Sequence, residues 1–245
     1  MKLLIDAGNT RIKWALADGA DWLRSGVLPV AQAGELPGLF ADLQGAPQIW
    51  VSNVAGEQVA QHIRNIGAGQ QAQLRFVLAR EQQCGVRNGY TSPAQLGSDR
   101  WAALIAAWHL VQGKCLVVGS GTAITIDALS GQGEFLGGLI LPGVELMQRS
   151  LVAATDQLKS VQLKPEQRKY VQFPLNTADA LFSGAIQAAC GAIQRQHALL
   201  GDAGAPVLLS GGAAAILQEN LNLPLRVVDN LVLQGLLLIS QESNA

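Results

Sequence analysis

The sequence predicts an α/β fold of two related halves, each a mixed sheet with flanking helices. Three observations carry that prediction. Leu3-Leu4-Ile5-Asp6-Ala7-Gly8-Asn9-Thr10-Arg11-Ile12-Lys13-Trp14 reads as an apolar strand, a glycine turn and a strand that pairs back as a hairpin. Leu116-Val117-Val118-Gly119-Ser120-Gly121-Thr122-Ala123-Ile124-Thr125-Ile126-Asp127 repeats the pattern about half a chain later, with Gly121 matching Gly8. Around both copies, strand-like runs alternate with helix-like runs, the order of a mixed sheet covered by helices.

After the first hairpin, Trp22 to Leu28 adds a third strand. Pro29 to Leu43 is rich in Ala, Leu, Gln and Glu and reads as a helix broken by Gly34 and Pro37. Gln48 to Val54 is a strand, Val59 to Ile66 a short amphipathic helix, and Arg75 to Leu78 a strand. Gly85 to Gly97 gathers Gly, Asn, Tyr, Pro and Ser, the composition of a surface loop. It leads through Asp99-Arg100 into a helix over Trp101 to Val111, apolar nearly all round and therefore buried where the halves meet. Beyond the second hairpin, residues 135–144 form a strand with a glycine pair and a Pro-Gly turn, and Glu145 to Val152 a helix. Ala154 to Thr177 is polar and without periodicity, a long loop of the kind that carries function. Thr177-Ala178-Asp179-Ala180 resembles an N-cap box with Asp in place of Glu and opens a helix to about Leu200. Pro206 to Ser210 then reads as a strand, Gly211-Gly212 as a turn, Ala213 to Leu217 as a helix, Leu225 to Val228 as a strand and Asn230 to Ser240 as a last helix. No flexible linker intervenes, so the division into 1–112 and 113–245 rests on the repeat.

The 245 residues are 49% hydrophobic and 14% charged, a composition that folds into substantial cores. A net charge of −1 without any Lys/Arg run argues against nucleic-acid or anionic-membrane partners. Cys84, Cys115 and Cys190 and the scattered histidines His62, His109 and His197 show no metal-ligand spacing, and the cysteines read as reduced thiols. The first residues already form a strand, and no apolar run reaches the roughly 18 residues of a membrane span. The expected compartment is the cytoplasm.

Chemistry gathers at a few turns. Asp6 closes the first strand beside a glycine, small amide and hydroxyl donors and Lys13, the set that a magnesium-bound polyphosphate requires. The same segment also reads as an ordinary hairpin turn, and Lys13 as a solvated lysine. A buried, unpaired Asp6 is costly, which a bound Mg²⁺ offsets. Asp127 either serves that metal or caps a strand. In Leu96-Gly97-Ser98-Asp99-Arg100 a loop becomes a helix, so Asp99 is either an N-cap or a general base that accepts a hydroxyl proton. Arg100 offers a fork to a substrate carboxylate. Gly211-Gly212 either leaves room for adenine and ribose or is a plain turn. Two such turns facing one cleft would grip a polyphosphate from both sides.

The set DxGNTxxK, GxDR, GTAxTxD and GGxIxPG, in this order, closely resembles type III pantothenate kinase, a family of the acetate/sugar kinase–actin superfamily. The resemblance runs from Asp6 to Gly143 and, with Ser210-Gly211-Gly212, spans nearly the whole chain. It implies duplicated ribonuclease-H-like domains, 1–112 with the first phosphate loop and the substrate loop and 113–245 with the second phosphate loop and the adenosine segment. It implies that Asp6, Ala7, Gly8, Asn9, Thr10, Arg11, Ile12 and Lys13 bind ATP with Mg²⁺ held at Asp6, joined by Gly121, Thr122, Gly211 and Gly212. Pantothenate would be held by Tyr90, Gly97, Ser98, Asp99, Arg100 and Thr177, with Asp99 the proton acceptor. A homodimer with the pocket near the subunit boundary is implied as well. Family members carry Asp two residues before the GTA glycine as a ligand of K⁺ or NH₄⁺. Gly119 stands there in this chain, so the usual carboxylate of that cation site is missing. The function implied is phosphorylation of pantothenate at the start of coenzyme A synthesis. The alternatives are a superfamily kinase of another small alcohol and a non-catalytic nucleotide-binding protein of the same fold.

Overall fold

The structure, a computed structural model, describes residues 1–43, 47–70, 72–160 and 168–242. It divides into two compact units, the first comprising Met1–Gln112, Gly133–Phe135 and Asn230–Ala245, the second Gly113–Gln132 and Leu136–Asp229.

Unit 1 begins with β1 (Lys2–Ala7), whose apolar run is buried on both faces because helices cover both. β2 (Arg11–Asp18) returns antiparallel with Ala7 opposite Ile12, and β3 (Asp21–Pro29) continues the meander. The helix expected over Pro29 to Leu43 is reduced to a 3-10 turn at Val30–Glu35 and one helical turn, α1 (Leu36–Leu39). Pro37 explains this: lacking an N–H, it fits a first turn and cannot lie inside a longer hydrogen-bond ladder. β4 (Gln48–Asn53) runs parallel to β1, and α2 (Glu57–Gln70) crosses to β5 (Gln73–Phe76), parallel to β4. That strand ends before Leu78, which lies outside it and exposed. Leu3, Ile5, Ile12 and Val51 from the sheet share a core with Leu36, Phe40 and Ile63.

The stretch Gly85 to Gly97, read as an irregular loop, begins inside a small hairpin: β6 (Gln82–Gln83) precedes it and pairs with β7 (Val86–Asn88) within it. Its turn residues Cys84 and Gly85 take φ of 49° and 78°, the geometry that Asn-Gly usually supplies. A 3-10 turn at Pro93–Gln95 follows, and α3 (Ser98–Val111) starts three residues before Trp101.

Unit 2 contains β8 (Cys115–Ser120), β9 (Ala123–Leu129), most of β10 (Glu134–Pro142), α4 (Val144–Ala154), α5 (Thr177–Leu199), β11 (Val207–Ser210), α6 (Ala214–Glu219) and β12 (Leu225–Val227). The first two residues of β10 belong to unit 1, where Glu134 and Phe135 pair with Arg87 and Asn88 of β7. β8 is antiparallel to β9 and parallel to β11, which is parallel to β12. The strands of the first sheet run in the order β3-β2-β1-β4-β5, and those of unit 2 in the order β10-β9-β8-β11-β12, within a sheet that β7 and β6 continue beyond β10. Counted from each unit's first strand, both read 3-2-1-4-5, so the repeat in the sequence is a repeat of topology. Val118, Ile126, Ile186, Ile193 and Leu209 lie at the centre of the second core.

The N-cap of α5 is Asn176, one residue before the expected Thr177. Asn176 is extended, and its Oδ1 accepts the Asp179 N–H at 2.9 Å while its Nδ2 donates to Asp179 Oδ2 at 2.7 Å. The cap therefore stands one position earlier, with a side-chain to side-chain return bond in place of the box's bond to the N-cap backbone N–H. Residues 161–167 of the loop expected between Ala154 and Thr177 lie outside the described residues. The following segment is pinned to α5 by Lys169 N–H to Asp179 Oδ1 at 2.8 Å and Val171 N–H to Ser183 Oγ at 3.0 Å.

The last helix, α7 (Leu231–Glu242), follows unit 2 in the chain but belongs to unit 1, packed on α3. A Cβ at Gly235 would overlap the Ala102 carbonyl, so only glycine permits this approach. Lys2 Nζ donates to Ser240 Oγ at 2.9 Å, and Glu242 accepts the Cys84 N–H at 2.7 Å. Among the described residues no helix is long and apolar enough to cross a membrane.

Candidate active site

Asp6 sits near the end of β1, directly opposite Lys13 on β2 and Ser52 on β4. The turn between the strands closes with Gly8 N–H to Arg11 O at 3.1 Å, leaving Asn9, Thr10 and Arg11 exposed. Ala7 and Ile12 point into the core, so whatever they offer a ligand comes from the backbone.

Ser52 Oγ lies 2.9 Å from Ser98 Oγ in a buried hydrogen bond that ties β4 to the first residue of α3. Asp99 follows, and its Oδ1 accepts the N–H of Arg100 at 2.8 Å. Gly97 caps the helix without a side chain, and a Cβ there would stand 2.6 Å from Asp99 Oδ1. A side chain there would push the Asp99 carboxylate out of this position. A helix N-terminus favours a negative charge, so the dipole supports Asp99.

The electrostatics join the two carboxylates. Burial, with a smaller push from the charge of Asp99 and against the opposing Lys13, holds the Asp6 carboxyl up at about 7. Two carboxylates within each other's field favour either a shared proton or a cation between them. A divalent metal therefore fits this place: Asp6 would hold it, with phosphate oxygens and water as further ligands. Among the described residues no group of three or more His, Cys, Asp or Glu side chains is arranged to hold a metal by itself. Asp127 lies in unit 2 within β9, opposite Val117 and buried; it does not cap the strand.

Arg100 is 6% exposed, and its Nη1 donates to Tyr90 Oη at 3.0 Å. Sequence reasoning missed three residues around this site. Ser52 lies inside the apolar strand β4, Phe135 in β10 and Asn88 in β7, and the strand registers that place them are announced by no motif.

Unit 2 builds a second turn from three glycines. Gly121 N–H bonds to Ala123 O at 3.0 Å, and Gly143 N–H to Thr122 O at 2.8 Å. A Cβ at Gly143 would overlap the Gly121 carbonyl. Gly211, with φ of 104°, lies against the Ser120 backbone, where a Cβ would stand 2.5 Å from Ser120 O. Ser120 Oγ donates to Ser210 O at 2.8 Å and locks the strand ends together. The result is exposed backbone at Gly121, Thr122, Gly211 and Gly212, free of obstructing side chains. Thr177 is exposed at the start of α5, on an apolar groove of about 480 Å³ beside Met147 and Leu151 of α4. Burial pushes the thiols of Cys84 and Cys115 up to about 12 and that of Cys190 to about 11, which removes them as nucleophiles.

The comparisons with known proteins agree in kind. A family model described as type III pantothenate kinase matches residues 2–198. A type III pantothenate kinase from Nitrosospira multiformis is 49% identical over 245 residues, covering 99% of this chain and 92% of its own. One from Aromatoleum aromaticum is 45% identical over 246 residues, covering all of both chains. Among solved structures, a protein from Campylobacter jejuni described as a Baf-family transcriptional activator superposes with a TM-score of 0.63 at 23% identity, covering 99% of this chain and 100% of its own. A 2-dehydro-3-deoxygalactonokinase-like protein from Sinorhizobium meliloti gives 0.61 at 14% identity, covering 100% of this chain and 98% of its own. These two likenesses speak for the fold alone, the duplicated ribonuclease-H-like arrangement of actin-like ATPases and sugar kinases.

Proposed function

The chain belongs to the type III pantothenate kinase family, and from that premise we propose that it transfers the γ-phosphoryl group of ATP to the primary hydroxyl of pantothenate, opening coenzyme A synthesis. The observation that carries the reading is the buried Ser52–Ser98 hydrogen bond, which joins the strand position opposite Asp6, at the mouth of the glycine turn, to the residue before Asp99 at the head of α3.

Asp99 orients the pantothenate hydroxyl and takes its proton as the oxygen attacks phosphorus; Arg100 and Tyr90 hold the acid portion of the substrate. The turn from Gly8 to Thr10 and Lys13 contact the phosphates, and the glycine turns at Gly121, Thr122, Gly211 and Gly212 receive the remainder of the nucleotide. Asp6 would hold Mg²⁺, which when bound would supply positive charge to the phosphoryl oxygens. Thr177 keeps the role that the family pattern suggests, pantothenate contact, and Asp127 the metal support read from its place at the second hairpin. Gly119 removes a carboxylate from the monovalent-cation site, and K⁺ or NH₄⁺ binding is correspondingly weak.

The enzyme acts in the cytoplasm as a homodimer. Unit 2 supports the dimer by exposing Leu136, Ile140, Leu146, Leu151, Phe173 and Leu175. The test is ATP-dependent phosphorylation of a panel of small alcohols, with and without added K⁺. Turnover of pantothenate at a kcat/KM well above every other alcohol is the expected result. Preference for a different alcohol overturns the substrate, and nucleotide binding without transfer overturns the kinase.

A further inference from the structure

Tyr90 and Arg100 reach their places through two residues that no motif marks. The Arg100 guanidinium carbon lies 5.7 Å from the centre of the Tyr90 ring and 5.8 Å from that of Phe135, within range of cation–π attraction to both. The two rings are themselves 5.3 Å apart and tilted by 35°. Phe135 is 1% exposed and arrives on the first residues of β10, in register with Asn88 of β7. Asn88 Oδ1 accepts the Tyr90 N–H at 3.0 Å, and its Nδ2 donates to Pro93 O at 3.2 Å, so one side chain ties both ends of the loop between them. Gly89 completes the fit, because a Cβ there would overlap the Phe135 carbonyl.

We propose that Asn88 and Phe135 are positioning residues of the pantothenate pocket, holding the Tyr90 hydroxyl and the Arg100 guanidinium in a single arrangement before substrate arrives. The inference rests on the pantothenate reading above and adds to it. Arg and Tyr side chains left loose would lose rotamer freedom on binding; with Asn88 fixing the loop and Phe135 flooring the guanidinium, that ordering occurs during folding. Affinity for pantothenate then depends on two residues that act only through Tyr90 and Arg100. ATP, bound elsewhere, is indifferent to them.

The test is a double-mutant cycle read in steady-state kinetics. Asn88→Ala raises the KM for pantothenate by roughly five- to tenfold and leaves kcat and the KM for ATP within about twofold. Asn88→Asp keeps an acceptor for the Tyr90 N–H and recovers most of the loss. In a Tyr90→Ala background, Asn88→Ala has no further effect. Phe135→Leu, similar in volume but without a ring face, raises the same KM. An unchanged pantothenate KM in both single variants overturns the proposal. So does a penalty that multiplies in full on Tyr90→Ala, or a rise in both KM values that tracks a fall in melting temperature. A wild-type enzyme that ignores pantothenate overturns the function as well; wild-type turnover with indifferent variants overturns this inference alone.

Discussion

Asp6 shows how a single residue is set against its own fold. Its surroundings hold the carboxyl proton up to a pH of about 7, whereas an ordinary Asp releases it near 3.8. Between those values the folded chain keeps a proton that the unfolded chain has lost. The stabilising contribution is therefore complete below pH 3.8 and disappears as pH rises through 7. Without ligand, Asp6→Asn melts close to the wild type at pH 4 and several degrees above it at pH 8, while losing Mg²⁺-dependent turnover. An equal offset at both pH values in calorimetry would contradict burial and the Asp99 charge as the source of the shift. Gly119 presents the opposite case, a charge withheld. A Cβ there meets Thr125 Oγ1 at 2.9 Å, a hydroxyl that can rotate aside. Gly119→Asp should lower the K⁺ concentration for half-activation several-fold, measured in the coupled kinase assay; no change in K⁺ response would exclude a cation site at this position. Asp6, Asp99 and Arg100 were visible in the sequence because charged residues stood at the ends of apolar runs. Ser52 and Phe135 were not, since an apolar strand conceals which of its members faces a site until its partners are known.

At the scale of elements, packing decides the sign of effects that local propensity alone would predict wrongly. Alanine is normally preferred to glycine inside a helix by about 1 kcal/mol. At Gly191 of α5 a Cβ meets nothing within 4 Å, so Gly191→Ala stabilises by roughly 0.5–1 kcal/mol. At Gly235 of α7 the Ala102 backbone occupies that space, and Gly235→Ala destabilises by roughly 2–4 kcal/mol as the α3–α7 contact is forced apart. Urea midpoints that move in the same direction for both variants would contradict this difference in packing. The long strands and helices were legible from periodicity, as were both glycine hairpins. The β6–β7 hairpin was hidden because Cys84, a residue seldom found at positive φ, occupies its turn. The start of α5 was displaced because Asn176 and Thr177 are both good caps, and only the Asn176–Asp179 exchange of hydrogen bonds chooses between them.

For the whole molecule, two copies of one topology account for the motif spacing: each unit contributes the turn after its first strand, Gly8 in one and Gly121 in the other. The duplication could be read in advance because its strand–turn–strand signature survives in both copies. The affiliation of α7 could not. An apolar helix at the end of a chain carries no address; the close approach of Gly235 to α3 and the Lys2–Ser240 and Cys84–Glu242 hydrogen bonds assign it to unit 1. The proposed reaction depends on a carboxylate at the head of α3 taking a proton from an alcohol while nucleotide is held by other residues. The decisive measurement is the turnover of Asp99→Asn with pantothenate and ATP, set beside ATP affinity determined by calorimetry on the same protein. A fall in kcat of roughly 10²–10⁴-fold with ATP affinity within about twofold is the predicted result. Near-normal turnover, or loss of turnover only in step with loss of ATP binding, would contradict it.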